Sequence, residues 1–132
     1  MNDSDRLVAA ARAARDHALA TYSHFKVGAA ILTRAGRIHT GCNVENASYG
    51  LTMCAERVAL FKALSEGDRE FAAIAIVADT ASPTPPCGPC RQLLWEFCGD
   101  VPVILATLAG VAAECQMKDL LPRPFDGRLL TG

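Results

Sequence analysis

The eight residues 71–78, FAAIAIVA, contain no polar side chain. A strand written this way has no face to turn toward water, so it belongs inside a sheet that is covered on both sides. The neighbouring segments supply that cover. Residues 4–20 are rich in alanine, with Leu7, Ala10, Ala11, Ala14 and Ala18 at helical spacing behind Asp3 or Ser4 as a cap. Residues 52–66 (TMCAERVALFKALSE) return to the helical period and stop at Gly67. A further helix is expected over 87–97, just after Pro86. Strands are expected at 27–33 (VGAAILT) and 37–44 (RIHTGCNV), joined by a tight turn at Gly36, then at 101–107 (VPVILAT) and near 111–115, with a helical turn at 117–121. Strands alternating with helices give an α/β sandwich with helices on both faces of the sheet.

A chain of 132 residues with 51% hydrophobic composition fits one domain, spanning 1–132. Thirteen basic and fourteen acidic residues leave a formal charge of −1, and the basic ones are scattered, so a nucleic-acid partner is not expected. No apolar run is long enough to span a membrane. The opening MNDSDRLVAAARAARDHALA is too charged and too periodic for a signal peptide, and a cytoplasmic location is expected. In that reducing setting the six cysteines are ligands, catalysts or core filler rather than disulfide staples.

Four consecutive residues, Cys87, Gly88, Pro89 and Cys90, spell the tetrapeptide of a thioredoxin-type redox pair. The spacing alone leaves disulfide exchange, electron transfer and metal binding open. Its setting is unlike thioredoxin, since Pro86 rather than tryptophan precedes the first cysteine and the pair comes late in the chain. Cys54 stands, like Cys87, where a loop enters an expected helix. Both positions offer free backbone N–H groups and the positive end of the helix dipole, which lower a thiol's pKa. Cys87 and Cys90 are three apart and share a helical face, and Cys54 makes a third sulfur. Three protein ligands with a fourth position left for water is the pattern of catalytic zinc. The dull alternative is a structural site closed by Cys42, Cys98 or Cys115, which would leave Glu56 without a task. Three thiolates around Zn²⁺ carry a net negative charge, and Arg57, with Arg91 as a second candidate, is placed to offset it. Glu56, around the helix from Cys54, is the expected proton shuttle.

The CAE of Cys54–Glu56 and the PCGPC of 86–90, followed by Arg91 and Gln92, resemble the zinc-dependent cytidine deaminase superfamily. The resemblance continues through YSHFKVGAA (22–30), CNVENASYGLTMCAER (42–57) and LLPRPF (120–125), and it points to the small free-nucleoside enzymes. What it implies is a three-layer α/β/α cytidine deaminase-like sandwich around a mixed sheet of about five strands. It also implies one zinc ion per chain and hydrolysis of cytidine and 2′-deoxycytidine to uridine and 2′-deoxyuridine plus ammonia, in pyrimidine salvage. By the same resemblance Asn43 and Glu45 hydrogen-bond the ribose 3′-hydroxyl, Phe25 packs against the base, and Ala55 also contacts substrate. Ala47, Tyr49 and Phe125 complete the pocket of a neighbouring subunit in a homotetramer. Cysteine at position 54 agrees with the free-nucleoside enzymes, where many polynucleotide deaminases have histidine. Lys26 departs from the neutral residue common there. A blasticidin S type deaminase shares the CAE and CxxC motifs but differs around the sugar-contact segment, and a zinc-stabilised binding module is the non-enzymatic alternative. His17, His24 and His39 read as ordinary surface or hydrogen-bonded histidines, and Trp95 as core.

Overall fold

The structure, a computed structural model, describes residues 2–131; the two ends of the expected domain span, Met1 and Gly132, lie outside them. Helix α1 covers Asp3–Arg15, strand β1 Val27–Thr33, β2 Ile38–Cys42, α2 Ala55–Ser65 and β3 Phe71–Ala78. After these come α3 (Gly88–Cys98), β4 (Pro102–Thr107), β5 (Ala112–Gln116), α4 (Met117–Leu120) and α5 (Arg128–Thr131). The strands form one sheet in the order β2-β1-β3-β4-β5. All neighbours run antiparallel except β3 and β4, which are parallel, so the chain crosses over through α3 at that point.

The apolar run behaves as its composition requires. Ile74, Ile76 and Ala78 of β3 pack on one side with Ala55, Ala59, Leu60 and Ala63 of α2, Leu94 of α3 and Met117. Ala75 and Val77 pack on the other with Leu7 and Ala11 of α1. Residues of β1 divide in the same way, Ala29 and Ile31 toward α2 and Ala30 and Leu32 toward α1. This is a three-layer α/β/α sandwich with a mixed five-stranded sheet. Two glycines let the helices lie down on it. A Cβ at Gly28 would sit 1.9 Å from the Ala11 carbonyl oxygen in α1, and one at Gly41 would sit 2.5 Å from both the Ala55 oxygen and the Ala59 nitrogen in α2.

Several element ends differ from the sequence expectation. Helix α1 stops at Arg15 rather than at residue 20 and is capped by Asn2, whose side chain accepts from the Asp5 N–H at 2.8 Å. The residues after it are drawn away by a long-range pairing, in which Leu19 bridges Val44. Helix α2 begins at Ala55 rather than at 52, because Met53 pairs with Val44 through backbone bonds of 3.0 and 2.9 Å. The proline in the first turn of α3 is Pro89, while Pro86 is buried ahead of it. Helix α5 was not expected. Among the described residues no helix is long and apolar enough to cross a membrane.

Candidate metal centre and its cavity

The Val44–Met53 pairing sets Cys54 at the N-cap of α2, and the loop after β3 delivers Cys87 to the N-cap of α3. At such positions a polar side chain usually folds back on the helix N–H groups. Neither cysteine does so, which leaves both sulfurs free to point elsewhere. Cys90, fully buried in the first turn of α3, turns to the same place. The three Sγ atoms lie within 4.8 Å of one another, with Cys54 and Cys87 3.9 Å apart. A tetrahedral zinc with sulfur at about 2.3 Å requires sulfur–sulfur separations of about 3.8 Å, so the donor set fits that ion. Among the described residues the cluster has three members; Cys42, Cys98 and Cys115 lie outside it. Cys98 is partly buried at the far end of α3, and desolvation alone pushes its thiol up to about 12.

Protons are shared unevenly among the three sulfurs. Hydrogen bonds from Cys90 and then Cys87, with Arg57 nearby, pull Cys54 down to about 6. Cys90, hydrogen-bonded to Cys54 and buried beside Glu56, is pushed up. A divalent cation replaces such shared protons and is held more tightly as they leave. Arg57 faces this cluster, and Cys90 raises its pKa further. Its Nε is the buried side-chain nitrogen with no hydrogen-bond partner among the described residues. Arg91 lies in a different setting. Its Nε donates to the Pro86 carbonyl at 2.7 Å and its Nη1 to the Leu120 carbonyl at 3.1 Å, so it fastens the loop before α3, whereas the charge of Arg57 bears on Cys54 directly.

A cavity of about 210 Å³ opens beside the sulfurs, lined by Cys54, Cys87, Glu56, Ala55, Phe25 and Asn43 among others. Glu56 is 5% exposed, and desolvation raises its carboxyl above the ordinary range, with the Cys54 charge adding to the shift. Thr52 lines this cavity and also a second, outer one with Tyr22, Ser23, Glu45 and Tyr49. The structure therefore brings Phe25, Asn43, Ala55 and Glu56 to the sulfurs and sets Glu45 and Tyr49 one step outward. Asn43, 8% exposed, is also a clasp: its Oδ1 accepts from the Val27 N–H and its Nδ2 donates to the Phe25 carbonyl, each at 2.8 Å. Ala47 is exposed, as are Tyr49 (75%) and Phe125 (56%), and none of the three lines the cavity beside the sulfurs. Thr84 and Pro85 on the loop before Cys87, with Val27, Met53 and Ile76, complete the lining and were not singled out individually in the sequence.

Comparison with known proteins agrees with this geometry. Residues 1–107 match the family described as the cytidine and deoxycytidylate deaminase zinc-binding region. A cytidine deaminase of Halalkalibacterium halodurans is 52% identical over 124 residues, covering 93% of this chain and 94% of that protein. One from Sporosarcina psychrophila is 50% identical over 124 residues, covering 93% and 91%. The 1.6 Å crystal structure of cytidine deaminase from Burkholderia pseudomallei superimposes with a TM-score of 0.91 at 50% identity, covering 95% of this chain and all of that one.

Proposed function

The chain belongs to the cytidine deaminase family of zinc-dependent hydrolases, and from that premise we propose that it converts cytidine and 2′-deoxycytidine, with water, to uridine and 2′-deoxyuridine plus ammonia. The observation that carries this reading is the convergence of three sulfurs on a cavity whose wall is a buried carboxylate. Cys54, Cys87 and Cys90 hold one zinc ion, with Arg57 balancing their charge. Bound there, zinc supplies the Lewis acidity that makes water nucleophilic at neutral pH. Glu56 takes one proton from the water that adds to C4 and gives it to N3, then takes the second from the new C4 hydroxyl and gives it to the departing amine, so that a C4 carbonyl and ammonia remain. Its raised pKa suits it to both duties, since a buried carboxyl gives up and takes back a proton near neutrality more readily than an exposed one.

Phe25 and Ala55 meet the base, while Asn43 and Glu45 meet the sugar 3′-hydroxyl, so that binding holds C4 over the reacting water. The second hydrogen of the Asn43 amide remains for this contact after the first is given to Phe25. Large aromatics left in solvent at Tyr49 and Phe125, with Ala47, support sites completed across subunits of a homotetramer. A net charge of −1 with scattered basic residues supports a free nucleoside rather than a polynucleotide as substrate, and a cytoplasmic location belongs to the same reading.

The test pairs zinc analysis with ammonia release. Glu56→Gln is expected to keep one zinc per chain and to lose at least about 10²- to 10⁴-fold in kcat, the range ascribed to proton transfer by a positioned side chain. Near-normal turnover in that variant would remove Glu56 from the mechanism.

A further inference from the structure

The loop between α1 and β1 reaches the cavity by an unusual path. His24 has φ of 59°, the one non-glycine residue at positive φ among the described residues, and its N–H is bonded to the Ala20 carbonyl at 2.9 Å. A side chain with a Cβ does not rest there unless its surroundings hold it. Glu45 does much of the holding, since its Oε1 accepts from the Tyr22 N–H at 2.9 Å and the Ser23 N–H at 3.0 Å. The Ser23 hydroxyl donates to the other carboxylate oxygen, Oε2, and accepts from the Phe25 N–H at 3.0 Å. Phe25 is thus gripped at both ends of its backbone, at the nitrogen by Ser23 and at the carbonyl by Asn43.

We infer that Ser23 is a positioning residue for the reaction, whose hydroxyl ties the Glu45 carboxylate to the Phe25 backbone so that the sugar contact and the base contact are set by a single loop. This rests on the reading above, in which Glu45 meets the sugar hydroxyl and Phe25 the base. Only a group that donates and accepts at one atom can make this link, and a hydroxyl does so where a thiol does it weakly and a methyl not at all. The Ser23 hydroxyl is also the largest influence holding the Glu45 carboxyl below its ordinary range, as a hydrogen bond donated to the carboxylate does. Alanine at this position retains both N–H bonds to Oε1, yet it releases Oε2 and the Phe25 N–H together. The residue is exposed and lies outside both core clusters.

The experiment measures kcat and KM for cytidine and for 3′-deoxycytidine in the wild type, Ser23→Ala and Ser23→Thr, each at full zinc content. Ser23→Ala is expected to raise KM for cytidine roughly tenfold, the scale of a lost hydrogen bond to a charged acceptor, with kcat within about twofold. Ser23→Thr, which keeps the hydroxyl, restores KM to within about twofold of the wild type. With 3′-deoxycytidine the Ser23→Ala penalty shrinks to about threefold or less, because no sugar hydroxyl remains for a displaced Glu45 to lose. If the wild type binds both nucleosides equally, the sugar reading of Glu45 fails and the inference falls with it. If the wild type discriminates but Ser23→Ala matches it, or threonine fails to rescue, or the penalty is the same for both nucleosides, Ser23 is not a positioning residue and the Glu45 reading stands.

Discussion

The two ends of α2 treat charge in opposite ways. At the C-terminal end a group of charged side chains is paired inside the protein. The buried His39 ring has Glu66 at 2.9 Å on Nδ1 and Asp68 at 2.6 Å on Nε2, and Asp68 is also paired with Arg37. Arg69 closes the end by donating to the Leu64 carbonyl at 2.7 Å. At the N-terminal end the cap side chain makes no capping bond, the Arg57 Nε has no hydrogen-bond partner among the described residues, and Glu56 is buried against its own preference for water. One helix thus has a self-sufficient end that anchors it and an incomplete end that waits for something outside the chain. Incompleteness of this kind costs stability, and it persists where function uses it.

Breaking the incomplete end has the largest expected effect. Cys54→Ala should abolish both zinc binding and turnover, read by metal analysis and ammonia release, and a fully active variant would show that the helix start is not a ligand position. Arg57→Gln should weaken zinc about 10- to 100-fold in a chelator competition, the usual scale for a group acting on the ligands rather than on the metal. Gly41→Ala is intermediate in kind. It presses a methyl into the first turns of α2 and should cost about 1–3 kcal/mol in denaturant unfolding, lowering turnover as well because Cys54 and Glu56 ride on that turn.

The self-sufficient end should respond in stability alone. Asp68→Asn is expected to lower Tm at neutral pH and leave kcat unchanged. Arg37 and His39 hold the Asp68 carboxyl below its ordinary value. A depressed carboxyl contributes stability that is present above its unfolded pKa and is lost as pH falls through the folded one. The wild-type and Asp68→Asn stability curves should therefore stand apart at neutral pH and converge below about pH 4, the ordinary carboxylate range. Parallel curves throughout acid would sever the link between that cluster and the fold.

Much of the site was legible because its residues are contiguous motifs. Cys54 and Glu56 share one turn, Cys87 and Cys90 another, and the FAAIAIVA strand matches β3 residue for residue. What the sequence concealed was pairing at long range. Nothing in the alanine-rich start marks Arg15 as its last helical residue, since the cause is a bridge from Leu19 to Val44. The same Val44 keeps residues 52–54 extended where periodicity reads helix. Asn43 and Glu45 were identified through resemblance as sugar contacts, but their hold on the loop at Tyr22–Phe25 depends on atoms some twenty residues away. Arg91 looked equivalent to Arg57 by proximity to a cysteine, and only the placement of the Pro86 and Leu120 carbonyls separates their tasks.

The sulfurs that meet in the cavity come from helix starts 33 positions apart, on either side of the central strand. Bringing them together closes a long loop in a disordered chain, and that closure costs entropy before any packing rewards it. An ion that grips all three sulfurs rewards it directly, because ligands that assemble only in the folded state convert binding free energy into folding free energy. A metal ion bound by these three sulfurs would therefore stabilise the fold as well as equip the cavity.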